Sequence, residues 1–180
     1  MAKNKKMMDR EKYAQKLFEK DIIRSRHLAE PGPNDIVMIL DNLKGNFNVG
    51  KIFRSAEAFG VKEILLVGID YFDPIPAKGC VRKVKSKSFE SFDECYKYIT
   101  EEGYEVLALD SNAKGYMHTS PFPRKSAFIL GHEEFGMSFK LDKYPNIKTM
   151  KIKHFGKVES LNVAVAASLS MYEYVRQHEL

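Results

Sequence analysis

Four polar stretches of this 180-residue chain hold residue types from which a site can be built. Gly45-Asn-Phe-Asn-Val-Gly50-Lys51 approaches a phosphate-binding loop, and Val106-Leu-Ala-Leu-Asp110 offers the matching metal-holding aspartate. That pattern fails at Ile52, because the loop needs a hydroxyl there to ligate magnesium and an isoleucine has none. Overlapping it is Asn48-x-Gly50-x-x-x-Arg54-Ser-Ala56, which places an arginine in an amphipathic segment from where it can reach back toward a loop and the sheet edge. The third stretch, Ile129-Leu-Gly131-His-Glu133-Glu-Phe-Gly136, combines paired carboxylates with two glycines that let backbone come close to a ligand. The fourth, Glu159-Ser160-Leu161-Asn162-Val163, sets polar groups against the start of a very apolar segment, where Ser160 or Asn162 can also serve as a helix cap. Taken singly, the last three read equally well as a surface ion pair, a turn and a cap. Dinucleotide, serine-hydrolase and zinc-protease signatures are missing, and His27, His118, His132, His154 and His178 are scattered without ligand spacing, so no metal site is expected.

The elements that must carry these stretches follow from hydrophobic period. Short branched runs at Ile36–Leu40, Glu63–Val67, Glu105–Leu109, Ala127–Leu130 and Lys148–Ile152 predict buried strands, with a short one at Lys87–Phe89. Helical spacing is predicted from Asn48 as N-cap to a stop at Gly60, over Ser91–Glu102 before Gly103, and over Leu161–Gln177. Strands alternating with helices predict an α/β fold with a largely parallel sheet flanked by helices. Ligands in such sheets bind at the carboxyl ends of the strands, and the polar stretches follow strands. The last helix is apolar on nearly every face at its start, which points to burial on more than one side and to a helix-mediated homodimer.

Charge is unevenly placed. Residues 1–26 hold nine Lys/Arg against four Asp/Glu and so account for the whole net charge of +5. We read residues 1–30 as a basic, mobile helical arm, hinged at Glu30-Pro-Gly-Pro-Asn34, and 31–180 as one domain. Further basic stretches at Lys78–Lys87 and Lys143–Lys157 favour a polyanion partner. Two cysteines, no apolar run of membrane-spanning length and a polar N-terminus predict a cytoplasmic protein without membrane attachment.

In order and spacing, Asn48-Val-Gly50-Lys-Ile-Phe-Arg54-Ser-Ala56, Leu130-Gly131-His-Glu133-Glu-Phe-Gly136 and Gly156-Lys-Val-Glu159-Ser160-Leu161-Asn162-Val-Ala-Val-Ala166 together resemble the three motifs of the SpoU/TrmH family of RNA ribose methyltransferases, in the SPOUT superfamily. The resemblance covers about residues 36–177. It implies a C-terminal trefoil knot, a homodimer through the knot and final helix, and transfer of a methyl group from S-adenosylmethionine to a ribose 2′-hydroxyl of RNA, with tRNA placed ahead of rRNA. It implies donor contacts around Leu109, Asp110, Ser111, Gly131, Gly136, Ile152 and Leu161, mostly through backbone. It places Arg54 at the 2′-hydroxyl, either as base or as electrostatic stabiliser of the alkoxide, with Asn48 orienting it or the RNA. Glu133, Ser160 and Asn162 would shape the pocket. Where many relatives enter motif three with Ile-Pro, this chain reads Ile152-Lys153-His154-Phe155, and Lys153 and His154 are available to RNA or to the donor carboxylate. The alternatives are a catalytically silent RNA-binding relative and, remotely, a P-loop nucleotidase.

Overall fold

The computed structural model describes residues 2–179, with side chains from Met8 onward. Helix α1 spans Ala2–Leu28, β1 Asn34–Asp41, α2 Phe47–Ala58, β2 Val61–Val67, β3 Ser86–Phe89, α3 Phe92–Glu101, β4 Glu105–Leu109, β5 Ser126–Leu130, β6 Lys148–Met150 and α4 Val163–His178. The strands form one six-stranded sheet in the order β3-β2-β1-β5-β4-β6, and every neighbouring pair is parallel.

Alternation along the strands divides the core between the two faces of the sheet. Ile36, Met38 and Leu40 pack with Ile52 and Phe53 of α2 and with Ala167, Met171 and Tyr174 of α4. Val37 and Ile39 face the other way, toward Phe92, Cys95 and Ile99 of α3. Both faces being covered explains why the strands read as continuous apolar runs. Ile52 is fully buried, as an apolar-stripe residue should be and a magnesium ligand cannot be.

Three boundaries differ from the sequence reading. Asn46, not Asn48, caps α2, its side chain accepting from the Asn48 N–H at 3.4 Å. β6 ends at Met150, so Ile152 lies in the following loop, and α4 begins at Val163, so Leu161 also lies ahead of its helix. The N-terminal helix packs on the sheet domain. Ala14, Phe18 and Ile22 turn inward, Phe18 meets Tyr71 and Phe72 edge-on at 5.1 Å each, and Arg10 pairs with Asp73 at 2.7 Å. The charge count concealed this face because its apolar residues are sparse among lysines. None of the described helices is long and apolar enough to cross a membrane.

Candidate active site

The loops that leave β4, β5 and β6, together with the approach to α4, enclose a cavity of about 600 Å³. Leu109, Asp110, Ser111, Gly131, Gly136, Ile152 and Leu161, the residues expected around a donor, all line it. Glu133, Ser160 and Asn162 line it as well. Its charged wall leans acidic, with Asp110, Glu133, Glu134 and Glu159 against Lys151.

A chain of side-chain hydrogen bonds joins the three sequence motifs. Asn162 Nδ2 donates to Asn48 Oδ1 at 3.2 Å, and Asn48 Nδ2 donates to Glu133 Oε1 at 2.7 Å. Asn48 is available for this because Asn46 does the capping. Asn162 does both jobs that its sequence position allowed: its Oδ1 accepts from the Ala164 N–H at 3.0 Å and caps α4, while its Nδ2 joins the network. The loop after β1 closes the far side, with the Lys44 N–H donating to Glu133 Oε2 at 3.3 Å and Lys44 Nζ to Glu134 Oε2 at 3.0 Å. Burial pushes the Glu133 carboxyl up, but donation from Asn48, from its own backbone N–H and from that of Lys44, with His132 nearby, outweighs burial. The net shift is down, and the group is held as a carboxylate.

The Gly131–Gly136 loop folds tightly on itself. His132 and Gly136 exchange backbone hydrogen bonds at 2.7 and 2.9 Å, and the N–H groups of Glu134 and Phe135 both donate to His132 Nδ1. A Cβ on Gly131 would lie 2.6 Å from the Gly136 carbonyl carbon, and Gly136 has φ +73°. The close approach that Gly131 permits is therefore to the loop's own backbone, which fixes the wall of the cavity.

Sequence reasoning missed Asp41. Fully buried at the carboxyl end of β1, it accepts from the backbone N–H and the hydroxyl of Ser138, each at 2.6 Å, and so ties down the chain just after the Gly131–Gly136 loop. Burial raises its carboxyl, partly offset by those two bonds. An aspartate ending a run of buried apolar residues was the available signal. A second cavity of about 570 Å³ opens beyond Asp41 and Ser138 over the ends of β2 and β3. None of the sequence-expected site residues lines it, and Lys143 on its wall is already paired with Asp93 at 2.7 Å.

Arg54 stands apart. It is exposed on the outer face of α2, makes no side-chain hydrogen bond or ion pair among the described residues, and does not line the cavity. Six residues beyond Asn48, it sits roughly 9 Å farther along the helix and about 120° around it. Ser160 lines the cavity without a side-chain partner among the described residues. His154 also lines it, its two ring nitrogens lying 3.0 Å from the Val158 carbonyl and 3.3 Å from that of Ile152, and the protonated nitrogen donates to the carbonyl it faces. Lys153 turns away toward the rings of Tyr116 and Phe155. Among the described residues, no group of three or more His, Cys, Asp or Glu is arranged to hold a metal.

The model of the SpoU rRNA Methylase family matches residues 35–172. The chain belongs to this family. It is similar to the 23S rRNA (guanosine-2′-O-)-methyltransferase RlmB of Nitrosomonas europaea, with 28% identity over 84% of this chain and 58% of that protein. The SpoU fold is seen in the A. aeolicus TrmH/SpoU tRNA modifying enzyme, with TM-score 0.74, 23% identity and coverage of 89% of this chain and 84% of that one. It is seen again in the AdoMet-bound rRNA methyltransferase of Sinorhizobium meliloti, with TM-score 0.71, 22% identity and coverage of 87% and 60%. The chain spans about 60% of the length of the first curated relatives that it matches.

Proposed function

We propose that this SpoU-family protein methylates a ribose 2′-hydroxyl of RNA, using S-adenosylmethionine. The observation that carries the proposal is the Asn162–Asn48–Glu133 network, which ties the three motifs to one cavity at the strand ends. The cavity fits the donor. Its volume of about 600 Å³ lies within the roughly 300–1,000 Å³ of small-molecule sites, its wall is apolar at Leu109, Ile152 and Leu161, and Gly131 presents bare backbone. Its acidic lining suits a cation, and buried Ile52 disfavours the P-loop reading. When bound, S-adenosylmethionine supplies a methyl group on a positively charged sulfur.

The chain's own residues then do the following. Leu109, Ile152 and Leu161 hold the donor from the strand-end loops, and the Gly131–Gly136 loop closes the wall. Glu133, kept ionised, fixes the Asn48 amide, and Asn48 in turn holds Asn162 and orients the ribose. Ser160, whose hydroxyl has no partner among the described residues, hydrogen-bonds the incoming nucleotide. Arg54 serves the attacking oxygen as a fixed cation, since a guanidinium stays protonated, and the proton leaves to water or an RNA phosphate.

Arg54 requires a second protomer. Val165, Leu169 and Tyr172 form an exposed apolar stripe at helical spacing on α4. That stripe belongs to the same helical layer as Arg54, and Ser55 and Ser168 join α2 to α4 at 2.8 Å. Pairing two copies through the stripe covers it and turns the outer face of α2 toward the partner, so that Arg54 of one protomer serves the cavity of the other.

The test is incubation with tritiated-methyl S-adenosylmethionine and unmodified tRNA or rRNA, tRNA being tried first, followed by alkaline digestion. Label in alkali-resistant dinucleotides is expected, because 2′-O-methylation removes the nucleophile for cleavage. Label confined to mononucleotides would mean base methylation and refute the role of Arg54.

A further inference from the structure

Three exposed rings stand on or beside the loops that bound the cavity: Phe135 lines it, Tyr116 lies against Lys151, which lines it, and Phe155 follows His154, which lines it. The proposed reaction uses none of them. Phe155 is 89% exposed, Phe135 77% and Tyr116 36%. Exposed apolar groups gathered into one patch mark an interaction surface, whereas single exposed rings are ordinary. Two of them are organised around a cation: Lys153 Nζ lies 5.6 Å from the Tyr116 ring centre and 5.3 Å from that of Phe155. Lys151, which lines the cavity, lies 5.3 Å from the Tyr116 ring.

The support beneath these rings is fixed. The Met117 N–H donates to the Lys151 carbonyl at 2.9 Å, and the Lys151 N–H to that of Gly115 at 3.0 Å, so the Tyr116 turn is stitched to the chain leaving β6. His154 braces the other side of the Phe155 turn, its ring nitrogens lying between the Ile152 and Val158 carbonyls, one of which accepts from the ring N–H. Phe135, on the opposite motif loop, stacks on His132 at 4.7 Å and 27°.

Rings interleaved with ammonium groups fit single-stranded nucleic acid, whose bases present π-faces and whose backbone presents phosphates. A duplex conceals its bases and offers such rings nothing to stack on. Resting on the methyltransferase reading above, we infer that Tyr116, Lys153 and Phe155 form a platform that stacks unpaired bases beside the target ribose, so that the substrate site is a loop or an unwound segment and not a helix. Lys153, which lies over both rings, is the cation of this platform.

The test measures binding of an unpaired RNA of about 12 nucleotides, and of the same RNA in a duplex, by fluorescence anisotropy. The full chain is used with S-adenosylhomocysteine present. The unpaired RNA is expected to bind tighter. Phe155→Ala and Tyr116→Ala should each weaken it about 5- to 150-fold with little change for the duplex, and Phe155→Trp should restore it. Lys153→Met should lower the slope of log affinity against log salt by about 0.7 for the single strand. Equal binding of both RNAs, or ring variants that bind like the parent, would overturn the platform. So would dissociation of the dimer by Phe155→Ala in sedimentation, which would place the ring in the interface. Donor binding, measured separately by calorimetry with S-adenosylhomocysteine, separates the two ideas. Donor binding without preference for unpaired RNA removes only the platform, and preference without donor binding removes the methyltransferase reading.

Discussion

Replacing Glu133 by glutamine tests the network at its charged end. The carboxylate accepts from Asn48 Nδ2 through one oxygen and from the Lys44 N–H through the other, at 2.7 and 3.3 Å. A glutamine has one oxygen and one NH2, so it meets a donor with a donor on one side. Flipping Asn48 does not escape this, because its Oδ1 already accepts from Asn162. A hydrogen bond to a charged group contributes about 1.5–3 kcal/mol, and solvent access at this exposed side chain reduces that to about 0.5–1.5 kcal/mol. For a chain of this size the melting temperature should fall by about 1–6 °C at pH 7. The sign with pH follows from the lowered carboxyl. Its stabilisation is present above the unfolded value of 4.5 and is lost as pH falls through the lower folded value. The gap between parent and E133Q, read by urea unfolding, should therefore be full at pH 7 and close in strong acid. Asp41 titrates in both proteins and cancels in the difference. A gap that stays constant with pH would refute the argument that the charge of Glu133 holds the loops.

Gly131→Ala should keep the fold and abolish donor binding in calorimetry, because the new methyl meets the Gly136 backbone at 2.6 Å, at a cost of about 1–3 kcal/mol borne by the cavity wall. Leu169→Glu should convert a dimer to monomers in sedimentation and remove methyl transfer while leaving the α/β fold intact by circular dichroism. Mixing inactive Arg54→Ala and Asn162→Ala proteins should restore up to a quarter of parental turnover per protomer if the arginine acts across the dimer, and none if it acts within its own chain. Asp21 is 1% exposed, and neither carboxylate oxygen has a hydrogen-bond partner among the described residues. Asp21→Ala should thus raise stability in urea unfolding by about 1–3 kcal/mol, against the usual trend for a buried residue.

Period and composition determined the strands, their burial on both faces and their parallel arrangement, since an apolar run of four to eight residues bounded by turns has few other uses. The same local rules made Ile52 a core residue and so excluded the P-loop. The resemblance to the SpoU/TrmH motifs marked the cavity lining from Leu109 to Leu161, while period alone placed polar loops at the strand ends, where parallel sheets bind ligands. Contacts between distant segments had no such local signature. That Asn46 takes the cap and releases Asn48, that Asn48 reaches Glu133 and Asn162 across 85 and 114 residues, and that Asp41 anchors Ser138 were decided by tertiary packing alone. What Arg54 faces was likewise hidden from the sequence. Helical geometry carries it around α2 and away from the cavity on which its neighbours in sequence converge, and no pattern along one chain encodes where a second copy would stand.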